Sequence, residues 1–93
     1  MLTNNSYFDD QVHSIGFEVK GQRRSVGVMC EGIYRFNTVA PERMTVVEGT
    51  LIAKLPGNID WQTFFAGDAF EVPGDSGFDV KIPEHCVYLC DYL

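Results

Sequence analysis

Glycine and proline recur too often along this chain for a helix of useful length to form. They stand at Gly16, Gly21, Gly27, Gly32, Pro41, Gly49, Pro56–Gly57, Gly67, Pro73–Gly74, Gly77 and Pro83. The intervals between them hold about 5–9 residues, which is strand length. Many are rich in Val, Ile, Phe, Tyr and Thr, which suit a pleated surface. The spacing predicts strands over Val12–Val19, Arg24–Met29, Ile33–Thr38, Arg43–Val47, Thr50–Leu55, Trp61–Phe65, Ala69–Val72, Ser76–Ile82 and Val87–Leu93. The first ten residues are expected to be a loose arm or an edge strand. Many short strands, each bounded by turn signals, mean an all-β sandwich or barrel. At 93 residues, with no repeat, linker or low-complexity tract, residues 1–93 are expected to be one domain.

Two strands alternate cleanly enough to assign faces. Phe78, Val80 and Ile82 share one face, with Ser76 at its end, while Asp79 and Lys81 take the other. Tyr34, Phe36 and Thr38 likewise share a face opposite Arg35 and Asn37. A hydroxyl ending each inner face gives an apolar interior with a polar mouth, the usual layout of a small-molecule site.

The net charge of −6 argues against a nucleic-acid polymer as partner, because such binding needs an electropositive footprint. It leaves room for a small anion held by local cations. No apolar run approaches the roughly 18–20 residues of a membrane helix. The polar stretch Met1–Asp10 is not a signal peptide. Three cysteines, an odd number, then suggest free thiols in a reducing cytosol. His85, Cys86 and Cys90 cluster, but two thiols four residues apart on a strand lie about 13 Å from each other. One zinc at about 2.3 Å per bond cannot take both.

Two glycine-anchored stretches resemble the two cupin motifs. Glu42-Arg-Met-Thr-Val-Val-Glu-Gly49 matches the end of the first motif. The two histidines that family normally places before the glutamate fall at Phe36 and Thr38. Gly67-Asp-Ala-Phe-Glu-Val-Pro73-Gly74-Asp-Ser-Gly-Phe78 resembles the second motif with one residue missing. Its histidine position falls at Gly77 or Phe78. The glutamate alone remains, and one carboxylate makes a poor transition-metal site. The resemblance therefore implies a cupin (jelly-roll) β-barrel with no metal and no cofactor.

The whole chain further resembles a narrower group, the cupin-type pyrimidine/purine nucleoside phosphorylase family. The resemblance is carried by Tyr7-Phe8, Ser14-Ile-Gly-Phe17, Ser25-Val-Gly-Val-Met29, Pro41-Glu42 with Met44-Thr-Val46, and Asp60-Trp-Gln62. Phe70-Glu-Val-Pro-Gly74 with Ser76 and Phe78, then Tyr88-Leu-Cys90, complete it. It implies phosphorolysis of purine and pyrimidine nucleosides to free base and pentose 1-phosphate, with inorganic phosphate as co-substrate.

That reaction needs a bound dianion, a held sugar and a stabilised leaving base. Arg23 and Arg24 form the one adjacent basic pair among seven cations and are the expected phosphate ligands; the alternative is an exposed hairpin turn. Thr38 and Ser76 are expected to add hydroxyl contacts, or else to bond the backbone at strand ends. Glu42 is the expected catalytic group, acting on a ribose hydroxyl or a base proton, or else a turn residue after Pro41. Phe36, Phe70, Phe78 and Tyr88 offer flat faces that tolerate any base, or serve simply as core. His13 and His85 lie outside the motifs and are expected at the surface. Arg43 is expected there too. A homodimer is expected, because a small barrel has strand edges to protect. The competing readings are a metal-free cupin that binds a sugar or nucleoside without turning it over, and a structural barrel with no ligand.

Overall fold

The computed structural model describes residues Met1–Leu93. Strands hold 73 % of the chain and there is no helix. They are β1 (Thr3–Tyr7), β2 (Val12–Val19), β3 (Gln22–Thr38), β4 (Glu42–Lys54), β5 (Gln62–Phe65), β6 (Ala69–Val72) and β7 (Ser76–Tyr92). All pairings are antiparallel, along the path β1-β2-β3-β7-β4-β5, with β6 on β4. No pairing joins β1 to β5, so the sheet is open where the sequence leads one to expect a closed barrel. The first residues form the edge strand β1 rather than a loose arm.

Several glycines and a proline that look like strand ends sit inside long strands instead. Arg24–Met29 and Ile33–Thr38 are one strand, β3, across Gly32. Thr50–Leu55 continues the Arg43–Val47 strand across Gly49, as β4 to Lys54. Ser76–Ile82 and most of Val87–Leu93 are one strand, β7, across Pro83. The register shifts between Cys30 and Gly32 on β3, and between Val46 and Ile52 on β4. Such bulges bend a strand without ending it, and at an irregularity proline has no ladder bond to forfeit. Gly49 has φ +87°, and a Cβ there would run into the His85 carbonyl oxygen. Only glycine meets both demands, which accounts for the glycine that closes the Glu42–Gly49 stretch.

The bulges also reset which residues face inward. On β3 the buried set runs Ser25, Met29 and then Tyr34, Thr38, switching from odd to even positions. On β4 it runs Met44, Val46 and then Leu51, Ala53, switching the other way. β7 keeps one parity throughout, with Phe78, Val80, Ile82, Cys86, Tyr88 and Cys90 buried. The molecule thus has two halves that share three bent strands. Buried side chains from both halves form one core.

Candidate active site

Strand alternation decides what each half presents inward. The half before the bulges gives Ser14 from β2, Ser25 from β3, Glu42 from β4, and Tyr88, Cys90 and Tyr92 from β7. The other half gives Phe36 from β3 and Phe78 from β7, and β1 adds Tyr7. With Met29, Met44 and Asn37 they line a cavity of about 190 Å³. One wall is therefore rich in hydroxyls and the other aromatic.

The hydroxyl wall is built by cross-strand pairing. Gly27 lies opposite Tyr88, and a Cβ on Gly27 would stand 2.7 Å from the Tyr88 ring. The tyrosine thus lies flat across β3 because residue 27 has no side chain. The Ser25 and Tyr92 hydroxyls are 3.3 Å apart. Burial pushes the phenols of Tyr88 and Tyr92 up, partly offset by hydrogen bonds from Ser14 and Ser25 respectively. Both phenols are therefore neutral hydrogen-bonding groups at physiological pH.

Glu42 is the one charged residue in the lining. Burial raises its pKa above the ordinary 4.5, and the Cys90 thiol, donating to Oε1 at 3.5 Å, works the other way. The Cys90 thiol is itself pushed up by burial and then by the adjacent carboxylate. It stays a protonated donor rather than a nucleophile. Burial thus favours the protonated form of this carboxyl more than water would, the direction a proton donor needs.

The aromatic wall is a chain of ring contacts. Phe36 stacks on Phe78 at 5.6 Å and 26°, and Phe78 meets Phe70 edge-on at 5.9 Å. Phe70 is buried behind the wall, against Phe64 at 4.5 Å, and does not line the cavity.

The two adjacent arginines go to opposite faces of the sheet. Arg23 has the inward parity of Ser25 and lies over the Tyr92 ring, 5.1 Å from its centroid, with no carboxylate within ion-pair range. Arg24 points outward and pairs with Asp91 at 2.6 Å. Neither is in the hairpin turn; both are in β3. Thr38 and Ser76 stand away from the cavity. The Thr38 hydroxyl donates to the Pro73 carbonyl at 2.7 Å and accepts from the Ser76 amide at 3.1 Å. Ser76 lines a separate polar groove with Arg35 and Lys54. His13 and His85 are exposed, 3.9 Å from Asp10 and Glu48. Arg43 is also at the surface, on Glu71 at 2.9 Å.

Sequence reasoning missed Tyr7, Ser14, Ser25, Cys90 and Tyr92. Cys90 and Tyr92 share the parity of Tyr88, so extending that alternation would have found them. Ser14 and Ser25 become neighbours of Tyr88 only through the β2–β3–β7 register. No three His, Cys, Asp or Glu side chains converge in the structure.

Cupin-like proteins are among the solved structures whose fold this open, bent all-β sheet resembles. A putative ethanolamine utilization protein from Salmonella typhimurium superposes with TM-score 0.75 at 15 % identity, covering 99 % of this chain and 93 % of that one. A Vibrio parahaemolyticus protein of unknown function superposes at TM-score 0.97 with 48 % identity, covering 100 % and 99 %. A pyrimidine/purine nucleoside phosphorylase from Photobacterium profundum is 62 % identical over 93 residues, the full length of both chains. The family model described as pyrimidine/purine nucleoside phosphorylase matches residues 2–92. The chain belongs to the pyrimidine/purine nucleoside phosphorylase family.

Proposed function

We infer that this protein is a nucleoside phosphorylase of broad specificity, converting purine or pyrimidine nucleosides and phosphate to free base and pentose 1-phosphate. Family membership supports the reaction. The observation that carries the site assignment is the cavity with a half-buried carboxyl on one wall and stacked rings on the other. In this reading residues 1–93 are one cupin domain and the cavity is its cup.

The base lies against Phe36 and Phe78, with Phe70 backing them. Stacking does not discriminate among bases, which suits broad specificity. The sugar faces the hydroxyls of Ser14, Ser25, Tyr88 and Tyr92. A phosphate oxygen bonds to C1′ as the bond from C1′ to the base nitrogen breaks. The departing base takes a proton, which Glu42 supplies. Arg23, exposed and outside the cavity lining but lying over the Tyr92 ring that lines it and in no ion pair, is the phosphate ligand, while Arg24 is committed to Asp91. Charge-assisted bonds from Arg23 offset the repulsion between phosphate and the acidic chain. Thr38 and Ser76 serve the β6–β7 connection in this scheme. The test is incubation with uridine or adenosine, with and without phosphate. Free base should appear only when phosphate is present. Intact nucleoside in both tubes would indicate a binding protein instead.

We place the protein in the cytosol, on the strength of its three unpaired cysteines. The assembly we propose is a homodimer through the outer sheet face. Ile15, Val26 and Val28 are there 40 %, 38 % and 45 % exposed. Beside them Arg24, Asp91, Arg43 and Glu71 form a cross-strand row of alternating charge. A two-fold axis parallel to the strands, between β7 and β4, sets every cation of this row opposite an anion of the second copy. Light scattering at micromolar concentration should give twice the chain mass of 10.5 kDa.

A further inference from the structure

The β1–β2 turn is held in an unusual backbone conformation. Phe8, Asp9 and Asp10 all have positive φ, at 52°, 54° and 68°. The Gln11 amide closes the turn on the Phe8 carbonyl at 3.1 Å. Aspartate tolerates the left-handed region because its short polar side chain bonds locally. A phenylalanine has no such compensation, and strain of this kind persists only where the surroundings enforce it.

The Phe8 side chain, 41 % exposed, is engaged on its inner side by two aromatic rings. The Phe8 ring lies 5.0 Å from Tyr34 and meets Phe36 edge-on at 5.4 Å and 82°. Phe36 is thus gripped from two sides, by the edge of Phe8 and the face of Phe78. Phe36 and Phe78 line the cavity, and so does Tyr7, the residue before Phe8. Phe8 itself is not in the lining. The strand it follows, β1, is paired on one side only, to β2. A strained backbone, a ring aimed at a cavity wall and an adjacent lining residue all meet at this position.

We propose that Phe8 is a specificity-determining positioning residue, a wedge behind Phe36 that sets the width of the aromatic slot and so the relative acceptance of purine and pyrimidine bases. The proposal rests on the assignment of the cavity to nucleosides. The cavity holds only about 190 Å³, so the base with two fused rings is the more sensitive to where Phe36 stands. Removing the Phe8 ring lets Phe36 retreat into the vacated space and relieves the larger base first.

The experiment measures kcat/KM for adenosine and for uridine at saturating phosphate, in the parent, Phe8→Ala, Phe8→Leu, Phe8→Tyr and Asp9→Gly. Binding of both nucleosides by calorimetry is run in parallel. The adenosine-to-uridine ratio should rise about tenfold in Phe8→Ala, the scale on which pocket-size changes discriminate substrates. It should rise less in Phe8→Leu and stay at the parental value in Phe8→Tyr and Asp9→Gly. Equal losses for both nucleosides would overturn the proposal, because a merely structural residue moves both alike. Should Phe8→Ala fail to fold, Phe8→Leu decides on the same criterion. If the parent binds nucleosides but releases no base, the phosphorylase assignment falls and the affinity ratio judges the wedge. If it binds neither nucleoside, both fall.

Discussion

The two halves of the bent sheet are built from the same three long strands, yet they face the cavity with opposite chemistry. Before the bulges, the inward positions hold Ser25, Glu42, Tyr88, Cys90 and Tyr92. Beyond them, they hold Phe36 and Phe78, backed by Tyr34, Val80 and Ile82. The first half is a set of hydrogen-bonding groups around one carboxyl whose charge is disfavoured by burial. The second is packed rings with no ionisable group in the lining. Under the proposed function, the difference teaches how an acidic chain would accommodate an uncharged, amphiphilic ligand. Stacking needs only rigid surface, whereas proton transfer and sugar recognition need groups that keep unused hydrogen-bonding capacity. On the outer face, Arg24–Asp91 and Arg43–Glu71 are neutralised in pairs.

The sharpest way to break this comparison is to disable one wall at a time. Glu42→Gln should lower kcat by about 10²–10⁴-fold, the usual scale of general acid–base catalysis, with little change in phosphate KM. Phe36→Ala should instead raise nucleoside KM, by about tenfold for the loss of one stacking surface. Steady-state kinetics with each substrate varied separates the two. Loss of kcat in both variants, with unchanged KM, would erase the distinction between the walls.

The hydroxyl wall depends on the missing side chain at residue 27. Gly27→Ala places a Cβ against the Tyr88 ring and the His13 carbonyl oxygen. Denaturant titration should show a loss of about 1–3 kcal/mol from overpacking. Activity should fall further than the folded fraction does, because Tyr88 must move. An equally stable and active variant would mean that Tyr88 is not held by this contact.

The adjacent arginines give a smaller test. Arg23→Ala should raise the phosphate KM by about tenfold, corresponding to roughly 1.4 kcal/mol. Arg24→Ala should leave that KM alone and cost at most about 1 kcal/mol of stability, because its ion pair is partly exposed. The reverse pattern would put the phosphate on the outer face.

The smallest effect is a pH dependence of stability. The folded-state pKa of Glu42 is raised above 4.5, chiefly by burial. Its contribution is therefore complete below pH 4.5 and is lost as pH climbs through the raised pKa. Glu42→Gln cannot ionise, so its Tm should gain on the parent's across that window and track it below. A Tm difference that stays constant with pH would mean that burial does not perturb the carboxyl.

By itself the sequence determined the class of fold, the inward parity of Tyr34–Thr38 and Phe78–Ile82, and four residues of the cavity: Glu42, Phe36, Phe78 and Tyr88. These follow from local facts: glycine and proline spacing, period-two alternation, and two motif-like stretches. Tertiary structure decided the rest. Whether Gly32, Gly49 and Pro83 end a strand or bend it depends on what lies across the ladder, such as the His85 carbonyl that excludes a side chain at Gly49. Arg23 and Arg24 are equivalent in the sequence until the register sets one over Tyr92 and the other on Asp91. Ser14 and Ser25 reach Tyr88 and Tyr92 only because β2, β3 and β7 are neighbours in one sheet. Periodicity is written along the chain, but the choice of neighbour is a long-range contact, and cross-strand pairing is settled only when the whole sheet forms.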